Sequence, residues 1–303
     1  MSATRVVVVG AGGFIGARVL ERLAGHHPVV AVVRRMPERH PGAGARDVQF
    51  VPADLGPGWA NVLTGNADVV IWLAQSRRYR EFPAGAADMF RVNEAALFET
   101  LEWAREHGVR RFIYASTGSV YSPAPGPIPE SWPAGSSSFY AATKLNGEML
   151  ARQYSGCFEV VIGRVFSVYG PGQSGMAVAR VVESAAHGRP VSLAGGIGME
   201  LTPLYVDDAA EIFARLVSVS LPANPAILNV AGPEVTTLAT IASLAAKAAG
   251  VSVRLVEEAG EAARVAADTH QLRAVLPDMR FRGLADGITA TVAALGMAQP
   301  GSK

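Results

Sequence analysis

Val6 to Val9, following Arg5, and Val29 to Val33 are unbroken apolar, mostly β-branched runs with no polar alternation. Runs of this kind are expected of strands buried on both faces of a parallel sheet. Shorter runs at Val48 to Val51, Val69 to Leu73 and Phe112 to Ala115 predict a third, fourth and fifth strand. Between them the apolar spacing changes to that of helices. Ile15, Val19, Leu20 and Leu23 share one face, Phe90 to Glu106 predicts a second helix, and a third runs from about Ser138 to Gln153. Leu238, Ile241, Leu244 and Ala248 predict the core face of a later helix. Strands alternating with helices predict an α/β fold built on a doubly wound parallel sheet.

The first strand ends in Gly10-Ala11-Gly12-Gly13-Phe14-Ile15-Gly16 and runs into a helix, the context that makes the glycines meaningful. Gly10 permits a tight turn, Gly13 lets the backbone approach a pyrophosphate, and Gly16 lets helix and strand pack closely. The phosphates would sit at the helix N-terminus, where free N–H groups and the dipole favour anions. The second strand ends in Arg34-Arg35, where a dinucleotide site usually has an acid for the ribose hydroxyl. A guanidinium suits a 2′-phosphate instead, so NADP is preferred over NAD. After the fifth strand, Ser116-Thr117-Gly118-Ser119 offers hydroxyls to the same crevice. Tyr140 and Lys144, four apart, lie one turn from each other on a single helix face. A phenol of pKa about 10 is a poor base at neutral pH. A neighbouring ammonium lowers that value and makes the pair a candidate proton shuttle for an alcohol.

The 303 residues, half of them apolar, suffice for one large α/β domain with a smaller lobe. A net charge of +1 argues against partners held by bulk electrostatics, nucleic acid or an acidic membrane. The single Cys157 excludes a disulfide within the chain and reads as a buried thiol, and the six His show no metal-ligand spacing. The first residues resemble no signal peptide, no apolar stretch could span a bilayer, and a cytoplasmic protein is expected. The tail after Leu295 is expected to be disordered.

With these motifs in order, the chain resembles the extended short-chain dehydrogenase/reductase family, its NAD(P)-dependent epimerase/dehydratase group. Arg164 to Gln173 looks like the family's strand-end substrate motif, and Tyr205-Val206-Asp207-Asp208, Leu228-Asn229-Val230 and Leu284 to Ile288 match further landmarks. The resemblance implies a Rossmann-type cofactor domain over residues 1–165, to which 205–228 return. A smaller C-terminal substrate-binding lobe would be formed by 166–204 and 229–303. Tyr140 would be the general acid/base, Lys144 would hold the nicotinamide ribose and lower the Tyr140 pKa, and Thr117 would hydrogen-bond the reacting oxygen. Asp54 and Leu55 would frame the adenine. The cofactor would further be lined by Phe14, Ile15, Leu73, Ala74, Asn93, Ser116, Phe166 and Val168. Substrate contacts would fall to Gln75, Ser76, Gly118, Ser119, Ser167, Arg180 and Tyr205. Asp207 and Asp208 look like a carboxylate pair but are expected to open a helix, where the dipole favours acids. Glu130 is expected to be a surface or loop-bonding residue.

Departures from the pattern narrow the activity. Dehydratases of the family carry Asp-Glu where Gly118-Ser119 stand, so 4,6-dehydration by that route is not expected. Ser167 and Leu201 replace an Asn and an Arg that often grip a nucleotide diphosphate, which leaves that grip in doubt unless Arg180 or one of Arg77, Arg78 and Arg80 compensates. The expected function is epimerisation of a sugar, nucleotide-activated, through a keto intermediate by a homodimer. A one-way NADPH-dependent ketoreductase competes with it. A catalytically inactive dinucleotide-binding regulator is a third class, against which the retained Tyr140/Lys144 pair argues.

Overall fold

The computed structural model describes residues 4–36 and 47–296. The tail expected to be disordered lies, from residue 297 on, outside the described residues. Strands β1 (Val6–Val9), β2 (Val29–Val33), β3 (Val48–Pro52), β4 (Val69–Trp72), β5 (Arg111–Thr117) and β6 (Glu159–Val165) join a seventh, Ala226–Val230, in one sheet. All pairings are parallel, and the order is Ala226–Val230, β6, β5, β4, β1, β2, β3. This is the doubly wound, Rossmann-like sheet that the strand runs predict.

The helices are α1 (Phe14–Leu23), α2 (Ala86–Phe90), α3 (Ala96–Glu106), α4 (Phe139–Gln153), α5 (Ala177–Ala186), α6 (Val206–Arg215), α7 (Leu238–Ala249), α8 (His270–Val275) and α9 (Leu284–Ala293). The helix expected over Phe90 to Glu106 is interrupted by a π-type turn at Arg91–Ala95. Successive residues of β1 divide between two cores. Val6 and Val8 join Leu20, Ile113, Phe213 and Leu272 on one face, while Val7 and Val9 join Trp72, Leu97, Phe112 and Ile162 on the other. Burial on both faces is the physical reason for the unbroken valine run.

A third apolar cluster lies among α5, α7, α9 and short strands, with Tyr169, Val182, Leu193, Ile241 and Ile288 at its centre. Here the helical reading needs correction at one end. Leu238 and Ile241 are buried, but Leu244 is half-buried and Ala248 exposed, because Ala242, Ala245 and Ala246 form the inward stripe. Cys157 is exposed rather than buried, since it falls in the turn before β6 and not in the strand. Asp207 and Asp208 do open a helix. Asp207 faces Arg18 at 3.5 Å, and Asp208 accepts the Arg282 backbone N–H at 2.9 Å. Among the described residues no helix is long and apolar enough to cross a membrane, and no group of three His, Cys, Asp or Glu could hold a metal.

Helix α4 approaches β5 through Gly147, where a Cβ would stand 2.7 Å from Tyr114 Cζ and 3.0 Å from a Leu97 methyl. Alanine is normally better than glycine inside a helix by about 0.5–1 kcal/mol. Here the added methyl would overpack a closed core, which costs about 1–3 kcal/mol. Gly147→Ala is therefore expected to lower the urea midpoint with an unchanged slope; a higher midpoint would contradict this packing.

Candidate active site

β1 and β4 are neighbours whose connections leave in opposite directions, so a crevice opens beyond their carboxyl ends. Its floor is the glycine turn. Gly10 has φ +90°, and a Cβ there would stand 2.8 Å from the Ala74 nitrogen. A Cβ on Gly16 would run into the Gly10 carbonyl, which forces both positions to remain glycine. α1 begins at Gly13 with no side-chain cap and no acid in its first turn, leaving N–H groups for an anion. This cradle fits a dinucleotide pyrophosphate. Phe14 and Ile15 are half-buried against the core, so they offer backbone N–H groups rather than side chains. Leu73 and Ala74 form the opposite wall, with the Leu73 N–H bonded to the Val9 carbonyl at 2.9 Å. Arg34 and Arg35 are exposed past β2. Asp54 is exposed and lies 3.4 Å from Arg91, which also holds the Leu55 carbonyl at 2.9 Å and Asp88 at 2.7 Å.

The candidate reactive groups come from β5 and α4. Ser138 caps α4 by accepting the Ala141 N–H at 3.1 Å, which places Tyr140 in the first turn. The half-buried Tyr140 donates its hydroxyl to Gln75 Oε1 at 2.9 Å, and its ring lies 5.3 Å from Tyr79. Burial pushes the Tyr140 phenol up to about 12, opposed by the Thr117 hydroxyl nearby. Thr117, at the end of β5, also contacts the exposed Ser119 at 3.3 Å. Lys144 is buried, donates to the Ala115 carbonyl at 2.5 Å and sits 4.4 Å over the Tyr114 ring. Burial lowers its ammonium to about 7, against the opposing pull of Glu148. The expected lowering of Tyr140 by Lys144 is therefore corrected for the protein chain alone: desolvation dominates at both groups.

Below the crevice, buried side chains position these groups without facing it. Fully buried Glu148 accepts from Ser116 Oγ at 2.5 Å and from Arg164 at 3.0 and 2.7 Å. Arg164 lies 4.5 Å over Tyr121, whose hydroxyl donates to Asn229 at 2.7 Å. Glu130, expected to be a surface or loop-bonding residue, is instead buried and accepts the N–H of Asn229 in the seventh strand at 2.8 Å. A second relay leads from β4. Asn93, in the π-type turn, accepts the Ser76 N–H at 2.9 Å and donates to Thr143 at 2.9 Å, and Thr143 donates to the Tyr140 carbonyl at 2.9 Å.

Six of the residues named from the sequence have other partners within the chain. Ser116 and Asn93 were expected at the cofactor, but their side chains are consumed by Glu148 and by Ser76 with Thr143. Ser76 was expected at the substrate, yet its hydroxyl donates to Asp88 at 2.5 Å. Phe166 is buried beneath Gly118, where a Cβ would meet its ring at 2.7 Å, and Val168 lies in the core. Tyr205 is buried edge-on to Tyr169 at 5.7 Å, beneath Arg282. Ser167 is half-buried, and Arg180 is exposed on α5. Tyr79, Thr143, Glu148 and Arg164 escaped the sequence reading as individual site residues. Glu148 was accessible in principle, because Tyr140, Lys144 and Glu148 continue one four-residue stripe.

The NAD dependent epimerase/dehydratase family model matches residues 6–231, and the chain belongs to that family of enzymes. An uncharacterized UDP-glucose epimerase, YtcB, of Bacillus subtilis (strain 168) is 29% identical, the match covering 96% of this chain and 98% of the relative. Among solved structures, MoeE5 in complex with UDP-glucuronic acid and NAD has a TM-score of 0.82 and 27% identity, covering 97% of this chain and 100% of that one. The UDP-glucose 4-epimerase of Thermus thermophilus in complex with NAD has a TM-score of 0.78 and 26% identity, covering 98% and 100%.

Lys144 supplies a pH signature. Between about pH 7 and its ordinary value of 10.5, the unfolded chain holds a proton that the folded chain lacks. Stability from this group therefore rises with pH across that window, and below it both states are protonated and the slope vanishes. Lys144→Met should flatten the rise of the urea midpoint between these limits; an unchanged slope would show that Lys144 is not depressed.

Proposed function

We propose that this chain is a nucleotide-sugar epimerase that works through a keto intermediate with Tyr140 as acid/base. One observation carries the reading. Thr117 ends β5 at the carboxyl edge of the sheet, and Tyr140 stands in the first turn of α4 with its hydroxyl on Gln75 just past β4, so both hydroxyls border the crevice that also holds the glycine cradle. Thr117 and Tyr140 can share the oxygen of a sugar hydroxyl, Thr117 steadying it and Tyr140 taking and returning its proton. A bound nicotinamide dinucleotide supplies hydride acceptance and return there. Gly10, Gly13 and Gly16 with the start of α1 would hold its pyrophosphate, Leu73 and Ala74 would line it, and Lys144 would approach its ribose. Asp54 and Leu55 remain the residues to test at the adenine. The elements around α5, α7 and α9 would form the substrate lobe, with Gln75, Gly118, Ser119, Ser167 and Arg180 at its contacts.

NAD is the cofactor to test first. The preference for NADP drawn from Arg34 and Arg35 has no support from MoeE5 or the Thermus enzyme, both of which hold NAD. The ketoreductase reading keeps one observation in its favour: Leu201 is buried in the core, so that position offers no cation to a diphosphate. Exposed Phe98 on α3 and Met149 on α4 suit a homodimer formed through these helices.

Incubation with UDP-glucose or UDP-glucuronic acid and NAD should yield the C4 epimer of at least one of them. Tyr140→Phe should lower kcat by about 10²–10⁴-fold while leaving dinucleotide binding intact. Net consumption of NADPH by a carbonyl substrate with no epimer formed would replace this reading with the ketoreductase.

A further inference from the structure

Residues 76–83 leave β4 and cross the mouth of the crevice. Arg80 donates to the Gly175 carbonyl at 2.7 Å and to Met176 Sδ at 3.0 Å, on the residues that lead into α5. The Tyr79 hydroxyl donates to the same sulfur at 3.0 Å. The Arg80 guanidinium stands 5.2 Å from the Tyr79 ring centre, and that ring lies tilted at 52° against Tyr140, 5.3 Å between centres. Phe82 stacks on Phe139 at 5.2 Å, so the strap is seated on both aromatic residues that open α4. A cation is thereby held two ring contacts from the reactive phenol.

Arg78 and Arg80 of the strap are not equivalent. Arg78 is neutralised by Glu81 at 2.7 Å. Arg80 forms no ion pair among the described residues; its acceptors are a neutral carbonyl and a thioether, and a thioether accepts weakly. No acid stands in the first turn of α5 beside it. A planar guanidinium with only weak neutral acceptors is readily given up to a bidentate oxyanion, which it binds more strongly and with defined orientation. The opposite side of the lobe offers no such group at Leu201, which is fully buried and apolar.

We propose that Arg80 is a substrate-binding residue that exchanges its Gly175 and Met176 contacts for an oxyanion of the sugar nucleotide, either the diphosphate or the carboxylate of a uronic acid. This inference rests on the epimerase reading and extends it to the residue that selects the substrate. The same strap carries Tyr79 against Tyr140, so the bound anion and the acid/base share one segment. The two sources of the oxyanion make different demands. A diphosphate is common to every nucleotide sugar, whereas a carboxylate at C6 is present only in uronates.

The experiment compares wild type, Arg80→Met and Arg80→Lys with UDP-glucose and UDP-glucuronic acid as substrates, and measures UDP binding by calorimetry. Arg80 is exposed, and thermal melting should confirm that the variants fold as the wild type does. The expected result for Arg80→Met is a KM raised tenfold or more with a much smaller change in kcat, and an intermediate KM for Arg80→Lys. A KM rise for both substrates, with UDP binding weakened in parallel, supports the diphosphate as the bound group. A rise confined to UDP-glucuronic acid, with UDP binding unchanged, supports the carboxylate. An unchanged KM for both, or an equal fall in kcat for both with KM and UDP binding unaltered, overturns the proposal and leaves Arg80 a strap residue. A wild type that neither binds UDP nor turns over either substrate defeats the epimerase reading itself, and this inference with it.

Discussion

The buried ion pair between Glu148 and Arg164 holds helix α4 against strand β6, and the candidate active site depends on that register. Both side chains are almost wholly removed from water, and each finds its remaining hydrogen bonds inside the protein. Removing one partner of such a pair leaves an uncompensated buried charge, a penalty of about 3–5 kcal/mol. Glu148 stands one turn beyond Lys144 and two beyond Tyr140. A shift of α4 that moved the phenol would therefore break the pair. Ser116 completes the clamp from β5, the strand that ends in Thr117, so one carboxylate ties together the elements supplying all three candidate catalytic residues.

A second constraint acts from the other side of the crevice. Asn93 lies in a π-type turn, where its carboxamide can reach both the Ser76 backbone and Thr143. Local widening of a helix of this kind is a common way to re-aim one side chain toward a functional centre. The relay fixes the start of the strap relative to the first turn of α4, and the strap returns over Tyr140 through Tyr79. Within this frame burial has opposite effects on the two titrating groups, holding the phenol protonated while lowering the lysine charge toward neutrality. The Tyr140 hydroxyl accordingly donates a hydrogen bond, to Gln75 at 2.9 Å.

The parts of this arrangement that were legible in the sequence are those with a local cause. Uninterrupted valines at Val6 to Val9 signal a strand covered on both faces, Gly10 and Gly16 signal the tight turn and close helix–strand packing, and the helix expected from about Ser138 sets Tyr140 and Lys144 on one face. What escaped the sequence depends on distant pairing. Ser116 and Thr117 are adjacent hydroxyls in the chain, but strand alternation sends the first toward Glu148 and leaves the second at the crevice. Nothing in the sequence shows that the Asn93 side chain accepts the backbone N–H of Ser76, seventeen residues away. Phe166 and Val168 flank Ser167 in a motif that resembles a ligand-binding strand end, yet packing beneath Gly118 and beside Leu204 turns both inward. Arg34 and Arg35 read as a 2′-phosphate site from their charge, whereas MoeE5 and the Thermus enzyme hold NAD.

The central claim is that the reacting carbon gives up its hydrogen as hydride and receives the same one back. The most direct test is incubation of the purified protein, in ordinary water with NAD, with the nucleotide sugar it converts, deuterated at C4. The account predicts that the C4 epimer keeps its deuterium. An epimer carrying solvent hydrogen at C4 would show that the carbon loses a proton instead, and would contradict the roles assigned to Tyr140 and Thr117.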